Sequence, residues 1–294
     1  AGPCNVPSSC TRWQAQRGAG GRPPARAEVP LRLERGYTAL MRSVFGFVAA
    51  SVLFLVVAGG PAAQNVSQDR SGGGAPRDGS AGPVYVIPIQ GEINQSLMVF
   101  IKRSVDRARD AGASHIVFDI DTFGGRVDSA LQITTIVGSL TEITTVAFVP
   151  VRSEGTGVSW SAGALISFAC DAIYMAPGTS MGSAAPIIAS PDGTSQQADE
   201  KTVSAVRTQM AALAEKNGYP VPIARAMVDY DVEVVELLVD GEIRVVAGDE
   251  REAVVRDLEE AGASVEVGRT VSASGKLLSL TAGEAERYGV AADT

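Results

Sequence analysis

The chain of 294 residues contains one histidine, four lysines and three cysteines, and aromatic residues make up only 5% of it. Each shortage excludes something. A hydroxyl attacks an acyl carbon at neutral pH only when a base takes its proton, and the usual base is histidine. The sole histidine, His115, opens the apolar run Ile116-Val117-Phe118. That run reads as a buried strand, which leaves the imidazole little freedom to serve a site, so lysine is the next base to consider. Cys4 and Cys10 lie in an atypical amino-terminal stretch and Cys170 stands alone further on, so no intrachain disulfide is expected in the folded part. Basic charge is also short. Of 25 basic residues six precede Met41, with two of the 33 acidic ones, which leaves 19 basic against 31 acidic from Met41 onward. Such an excess argues against a nucleic-acid partner.

What is present falls into unequal parts. Residues 1–40 are rich in Arg, Gly and Pro without a sustained apolar period, and are expected to be disordered or a mis-started extension. Residues 41–63 have the three parts of an export signal: Arg42, an apolar stretch from Val44 to Val57, and small residues around Gly60-Pro61-Ala62-Ala63. The stretch is short for a spanning helix, which wants about 20 apolar residues, so a cleaved signal is expected, with an uncleaved anchor as the alternative. Residues 64–83 form a Gly/Ser-rich linker that cannot bury enough surface to fold. Residues 84–294 then carry the folded domain, and no run within them approaches the length of a membrane helix.

Within that domain, apolar β-rich runs at Val84–Ile89, His115–Asp121, Thr144–Val149 and Ala172–Met175 alternate with helical periodicities at Ser96–Ala111, Val127–Leu140 and Ser161–Phe168. Strands alternating with helices predict an α/β fold around a mainly parallel sheet flanked by helices. Such sheets place ligands beyond the carboxyl ends of their strands. Gly124-Gly125 and Ser161 both fall in strand-to-helix connections at that edge. Residues 183–198 read as a loop, 201–216 and 221–228 as helices, 234–270 as a β-containing excursion, and 281–288 as a closing helix.

Gly157-Val158-Ser159-Trp160-Ser161-Ala162-Gly163 supplies a hydroxyl at a helix start. Such a serine commonly serves only as a helix cap. Here Ala162 and Gly163 are small enough to admit a substrate, and the Ala162 amide is available to an oxyanion. Gly124-Gly125 can turn further amides toward the same point. A lysine must be neutral to act as a base, and at its ordinary pKa near 10.4 only about one in two thousand is neutral at pH 7. Burial and the positive end of a helix favour the neutral form, whereas neighbouring carboxylates oppose it. Lys201, predicted in a first helical turn beside Asp199 and Glu200, meets both influences. Lys102 and Lys216 lie among charged residues on helices and Lys276 follows Gly275 in a turn, so Lys201 is the best placed of the four.

These residues resemble a family. Asp121-Thr122-Phe123-Gly124-Gly125-Arg126, Ser159-Trp160-Ser161-Ala162-Gly163, the run Tyr174 to Gly182, Glu200-Lys201-Thr202-Val203-Ser204 and Leu280-Thr281-Ala282-Gly283-Glu284-Ala285 look like the amino-terminal protease domain of the NfeD family. Those are membrane-associated serine proteases related to the Clp proteolytic subunit and to signal peptide peptidase A. The resemblance implies a Clp protease/crotonase-like fold and a Ser/Lys dyad, with Ser161 chosen over Ser159 as nucleophile and Lys201 as base. It implies Gly124, Gly125 and Ala162 around the oxyanion, and no metal or cofactor. It further implies a homo-oligomer, a dimer, at the extracytoplasmic face of the membrane, cleaving apolar segments of membrane proteins such as the tail of a stomatin-like partner. Phe123 departs from the family's proline before the paired glycines, and Pro186 stands where the Clp subunit's spacing expects a histidine. Longer relatives continue into membrane helices and a β-barrel, so a fragment of a longer membrane protein is expected. Two other readings share the fold: a non-catalytic module holding a stomatin-like partner in the same groove, and an acyl-CoA enzyme of the crotonase type.

Overall fold

The computed structural model describes residues 82–189 and 195–292. The amino-terminal extension, the signal segment and all but the last two positions of the linker lie outside them.

Four parallel strands form the main sheet in the order β1-β2-β3-β5: β1 (Val84–Gln90), β2 (His115–Asp121), β3 (Thr144–Val149) and β5 (Ala172–Met175). The central strands are buried almost without a break, as a sheet covered on both faces requires. β1 alternates buried Ile87 and Ile89 with exposed Val86 and Pro88. It lies at an edge, where Pro88 is tolerated because an edge strand does not need every N–H. Between the strands run α1 (Gln95–Asp110), α2 (Val127–Gly138) and α3 (Ala162–Phe168). Asn94 caps α1 by accepting the Leu97 N–H at 3.0 Å, and Met98, Ile101, Val105 and Ala108 supply its buried stripe. Ile116, Phe118 and Ile120, alternate residues of β2, face this layer and are fully buried.

Beyond the carboxyl ends of the strands the chain builds a second ladder. Thr122 bridges to Ser159 and Ile93 to Gly125. β4 (Val158–Trp160) continues in parallel with β6 (Ser180–Gly182), which pairs with β12 (Ser279–Thr281). The segment expected to be a loop instead contains an antiparallel pair, β7 (Ile187–Ala189) and β8 (Ser195–Gln197), short strands whose polar β8 residues offer no alternating signal. Then follow α4 (Glu200–Asn217) and α5 (Val221–Ala226). α4 meets α3 at its far end, where Asn217 Nδ2 donates to the Phe168 carbonyl at 2.8 Å.

Residues 234–272 form an antiparallel sheet, β10-β9-β11, from β9 (Val234–Val239), β10 (Glu242–Ala247) and β11 (Val265–Ser272), with α6 (Arg251–Glu260) against it. The two-residue period of β9 sorts its side chains. Val235, Leu237 and Val239 make a cluster with α6, while Val234 joins the main core. Glu236, on the same side as Val234, is 8% exposed and receives Arg287 at 2.9 and 3.1 Å and the Tyr288 hydroxyl at 3.2 Å. Arg287 ends the closing helix α7 (Ala282–Arg287), whose start is a capping box between Thr281 and Glu284. A buried carboxylate thus ties the excursion to the end of the chain.

The Arg287 hydrogen bonds hold the Glu236 carboxyl below the usual carboxylate range against the opposing effect of burial, helped by Tyr288 and the charge of Arg269. Because the folded pKa is depressed, the stability it contributes is present above the unfolded value near 4.3 and is lost as pH falls through the folded one. Glu236→Gln should therefore cost about 1–3 kcal/mol at neutral pH in urea unfolding. The gap from wild type should close below about pH 4. A gap equally large at pH 3 would contradict this role.

Candidate active site

Asp121, the last residue of β2, organises the approach to the site. Its carboxylate accepts hydrogen bonds from the Thr156 N–H at 3.0 Å, the Thr156 hydroxyl and the Gly157 N–H at 3.1 Å. A side chain on Gly155 would collide with it at 2.4 Å. The loop before β4 is therefore drawn onto the end of β2. Thr122 continues the work: its N–H donates to the Val158 carbonyl at 2.9 Å, and its carbonyl accepts the Trp160 N–H at 3.1 Å.

Ser161 stands between β4 and α3 with φ 54° and ψ −118°. A side-chain-bearing residue adopts such a turn only when its surroundings enforce it. Here the Ser161 N–H donates to the Gly182 carbonyl at 2.8 Å and its carbonyl accepts from Leu165 at 3.3 Å, which pins both sides of the turn. A sharp strand-to-helix turn of this kind presents a hydroxyl clear of the backbone, as in nucleophile elbows of hydrolases. Ser159, two residues earlier, is fully buried and shares a 2.9 Å hydrogen bond with Ser167. Its hydroxyl is part of the core, whereas Ser161 is half-buried at the surface.

Glycine geometry fixes what lies beside it. Gly124 has φ 109°, and a Cβ there would sit 2.6 Å from Ser161 Cβ and 2.9 Å from its Oγ. Gly125 has φ 155° and is pressed against Ile93, whose carbonyl would be 2.2 Å from a Cβ. The Gly124 N–H donates to Thr122 Oγ1 at 3.0 Å. Among the described residues the Gly125 and Ala162 N–H groups donate to no protein acceptor. Ala162 is the first residue of α3, where an amide has no partner within the helix. Ser161 thus has Gly124 packed against its side chain and the undirected Ala162 amide next to it, while the Gly125 amide, also undirected, follows Gly124 in the chain.

Lys201 lies in the first turn of α4, exposed, and no hydrogen bond or ion pair joins it to Ser161 among the described residues. The structure therefore brings together Ser161, Gly124, Gly125 and Ala162, and holds Lys201 on a separate element. His115 begins β2, at the opposite end from Asp121, with Nδ1 2.9 Å from Ser114 Oγ. Six strand residues at about 3.3 Å each separate it from the site by about 20 Å. Cys170 is buried, and burial pushes its thiol well above the usual range, so it is no nucleophile. No group of metal-ligating side chains occurs among the described residues.

Two features were not legible in the sequence. The Asp121 clamp depends on a contact across 35 positions, and Phe123 packs edge-on to Trp160 with centroids 5.5 Å apart. An open cleft of about 390 Å³ adjoins Phe123 and Asp121. A larger cleft, about 730 Å³, lies between α4 and β10, lined by Arg207, Arg225 and Glu233, and includes none of the residues around Ser161.

Gly163 is the tightest position of α3: a methyl there would lie 2.7 Å from Thr122 Cγ2 and 3.1 Å from Ser159 Oγ. Gly163→Ala should lower stability by about 1–3 kcal/mol through overpacking. Gly283→Ala, on α7 with nothing within 4 Å, should raise it by up to about 1 kcal/mol. Thermal unfolding of the two variants checks the pair, and identical melting temperatures would contradict the packing assigned here.

Comparison with known proteins places this arrangement. The family model of the NfeD1b N-terminal domain matches residues 83–255. The chain is 40% identical over 154 residues to membrane protein NfeD1b of Bacillus subtilis, covering 52% of this chain and 33% of that protein. It is 31% identical over 169 residues to the membrane-bound protease PH1510 of Pyrococcus horikoshii, covering 56% and 37%. The match therefore spans about a third of the length of these relatives. Among solved structures, a serine-to-alanine variant of the 1510-N membrane-bound stomatin-specific protease superposes with a TM-score of 0.51 at 24% identity, over 72% of this chain and 79% of that one. A lysine-to-alanine variant of the same protease, in complex with a substrate peptide, gives 0.52 at 24% identity over 72% and 75%. These likenesses establish the α/β fold expected from the sequence, shared with 1510-N. The chain belongs to the NfeD family, matching its NfeD1b N-terminal domain.

Proposed function

We propose that the chain is a serine endopeptidase that cleaves apolar segments of membrane proteins, a stomatin-like partner among them, with Ser161 as nucleophile and Lys201 as base. One observation carries the reading: a half-buried serine in a strained turn, with Gly124 packed against its side chain and the adjoining Ala162 N–H without a protein acceptor among the described residues. Neutral Lys201 Nζ takes the Ser161 Oγ proton as Oγ bonds to the substrate carbonyl carbon. The resulting oxyanion receives the Gly125 and Ala162 N–H groups, in space that Gly124 leaves open. Collapse breaks the peptide C–N bond, and the leaving amine takes the proton from the Lys201 ammonium. Water, giving a proton to Lys201, then attacks the acyl ester carbon; the ester C–O bond breaks, Ser161 Oγ takes that proton from Lys201, and the neutral base and free hydroxyl are restored. This chemistry calls for no metal or cofactor. The names of the relatives support the substrate class, since PH1510 is named a membrane-bound protease and 1510-N a stomatin-specific one. Action at the extracytoplasmic face, as a dimer, completes the proposal.

The exposed position of Lys201, away from any bond to Ser161, favours a second reading: a module that holds the same partner without cutting it. Catalytic hydrogen bonds often tighten only when substrate is bound, so hydrolysis rather than apo geometry decides. With an apolar tail peptide, Ser161→Ala should fall to background and Lys201→Ala should lose about 10²–10⁴-fold in kcat. Undiminished hydrolysis by either variant would overturn the dyad, and no hydrolysis by wild type would favour the binding module.

A further inference from the structure

Phe123 is 62% exposed, yet it is not loose. Its ring meets that of Trp160 at 5.5 Å and 66°, the edge-on arrangement that aromatic pairs favour. Trp160 is anchored in turn: its indole N–H donates to Ser180 Oγ at 2.9 Å and its backbone N–H to Thr122 at 3.1 Å. Each ring is one residue from the reacting centre, Phe123 before Gly124 and Trp160 before Ser161. Phe123 also lines the 390 Å³ cleft. Of the charged groups lining that cleft, Asp121 is engaged with the loop amides and Arg152 with Asp119, while Glu154 is exposed at its rim. Phe123 is the one large apolar side chain lining that cleft, and it immediately precedes Gly124, which is packed against Ser161.

We propose that Phe123 and Trp160 form an aromatic shelf that takes an apolar side chain of a bound peptide, next to the bond presented to Ser161, and so sets the preference for apolar segments. The role as a specificity determinant rests on the peptidase reading; the binding preference stands apart from it. The shelf contributes to recognition and takes no part in proton transfer.

The test uses the full chain carrying Ser161→Ala, so that nothing is turned over, and fluorescence anisotropy of two labelled peptides that differ at one position, leucine in one and serine in the other. Adding Phe123→Ala should weaken the leucine peptide about tenfold and the serine peptide less than about twofold, while Phe123→Leu should restore most of the loss. Equal weakening of both peptides would mean that the ring only shapes the glycine loop, and would overturn the shelf. So would an unchanged preference, or no binding of either peptide. Hydrolysis measured separately on the chain with Ser161 intact keeps the two claims apart: a lost preference without any cleavage retains the shelf and removes the peptidase.

Discussion

The backbone of Ser161 is the constraint on which the rest of the site depends. A non-glycine residue at φ 54° and ψ −118° costs about 1–3 kcal/mol and persists only where its neighbours leave it no alternative. Here they leave none. Thr122 grips the strand on both sides of Ser159, Gly182 holds the Ser161 amide, and Gly163 fits against Thr122 with no room for a methyl. Each of those partners comes from a different part of the chain, so the turn exists only once the second ladder has formed over the main sheet.

That dependence orders the roles of the glycines. Gly124 is required by steric fit to Ser161, Gly125 by its contact with Ile93, and Gly163 by its contact with Thr122. Their shared effect is to let three backbone segments approach one hydroxyl more closely than side chains would allow. Asp121 contributes at one remove. It touches no group at the reacting centre, but by fixing Thr156 and Gly157 it determines where β4 begins and therefore where Ser161 ends. The match to the relatives spans about a third of their length.

Much of the main sheet was legible because buried parallel strands write themselves as apolar runs, and Val84, His115, Thr144 and Ala172 each begin a strand as expected. The glycine pair and Ser161 were legible because strand-to-helix turns at the carboxyl edge are where such folds place ligands. What periodicity missed were contacts too short to have a period. The Thr122–Ser159 and Ile93–Gly125 bridges are single residues, β4 and β6 are three residues each, and β7 and β8 fell in a stretch read as a loop. Ser159 and Ser161 could not be separated by spacing. Burial and the Ser167 bond separate them in the structure. Lys201 was singled out by its place at a helix start, and the helix begins there, but nothing in a one-dimensional pattern reports how far an exposed side chain lies from its target.

The central claim is that Ser161 is a nucleophile made reactive by its surroundings and by Lys201. It is tested most directly by exposing the full chain to a serine-directed fluorophosphonate and mapping the adduct by peptide mass spectrometry. The account predicts one adduct, on Ser161 and not on Ser159, forming far more slowly in Lys201→Ala. An unlabelled wild type, an adduct on another residue, or labelling indifferent to Lys201 would contradict it.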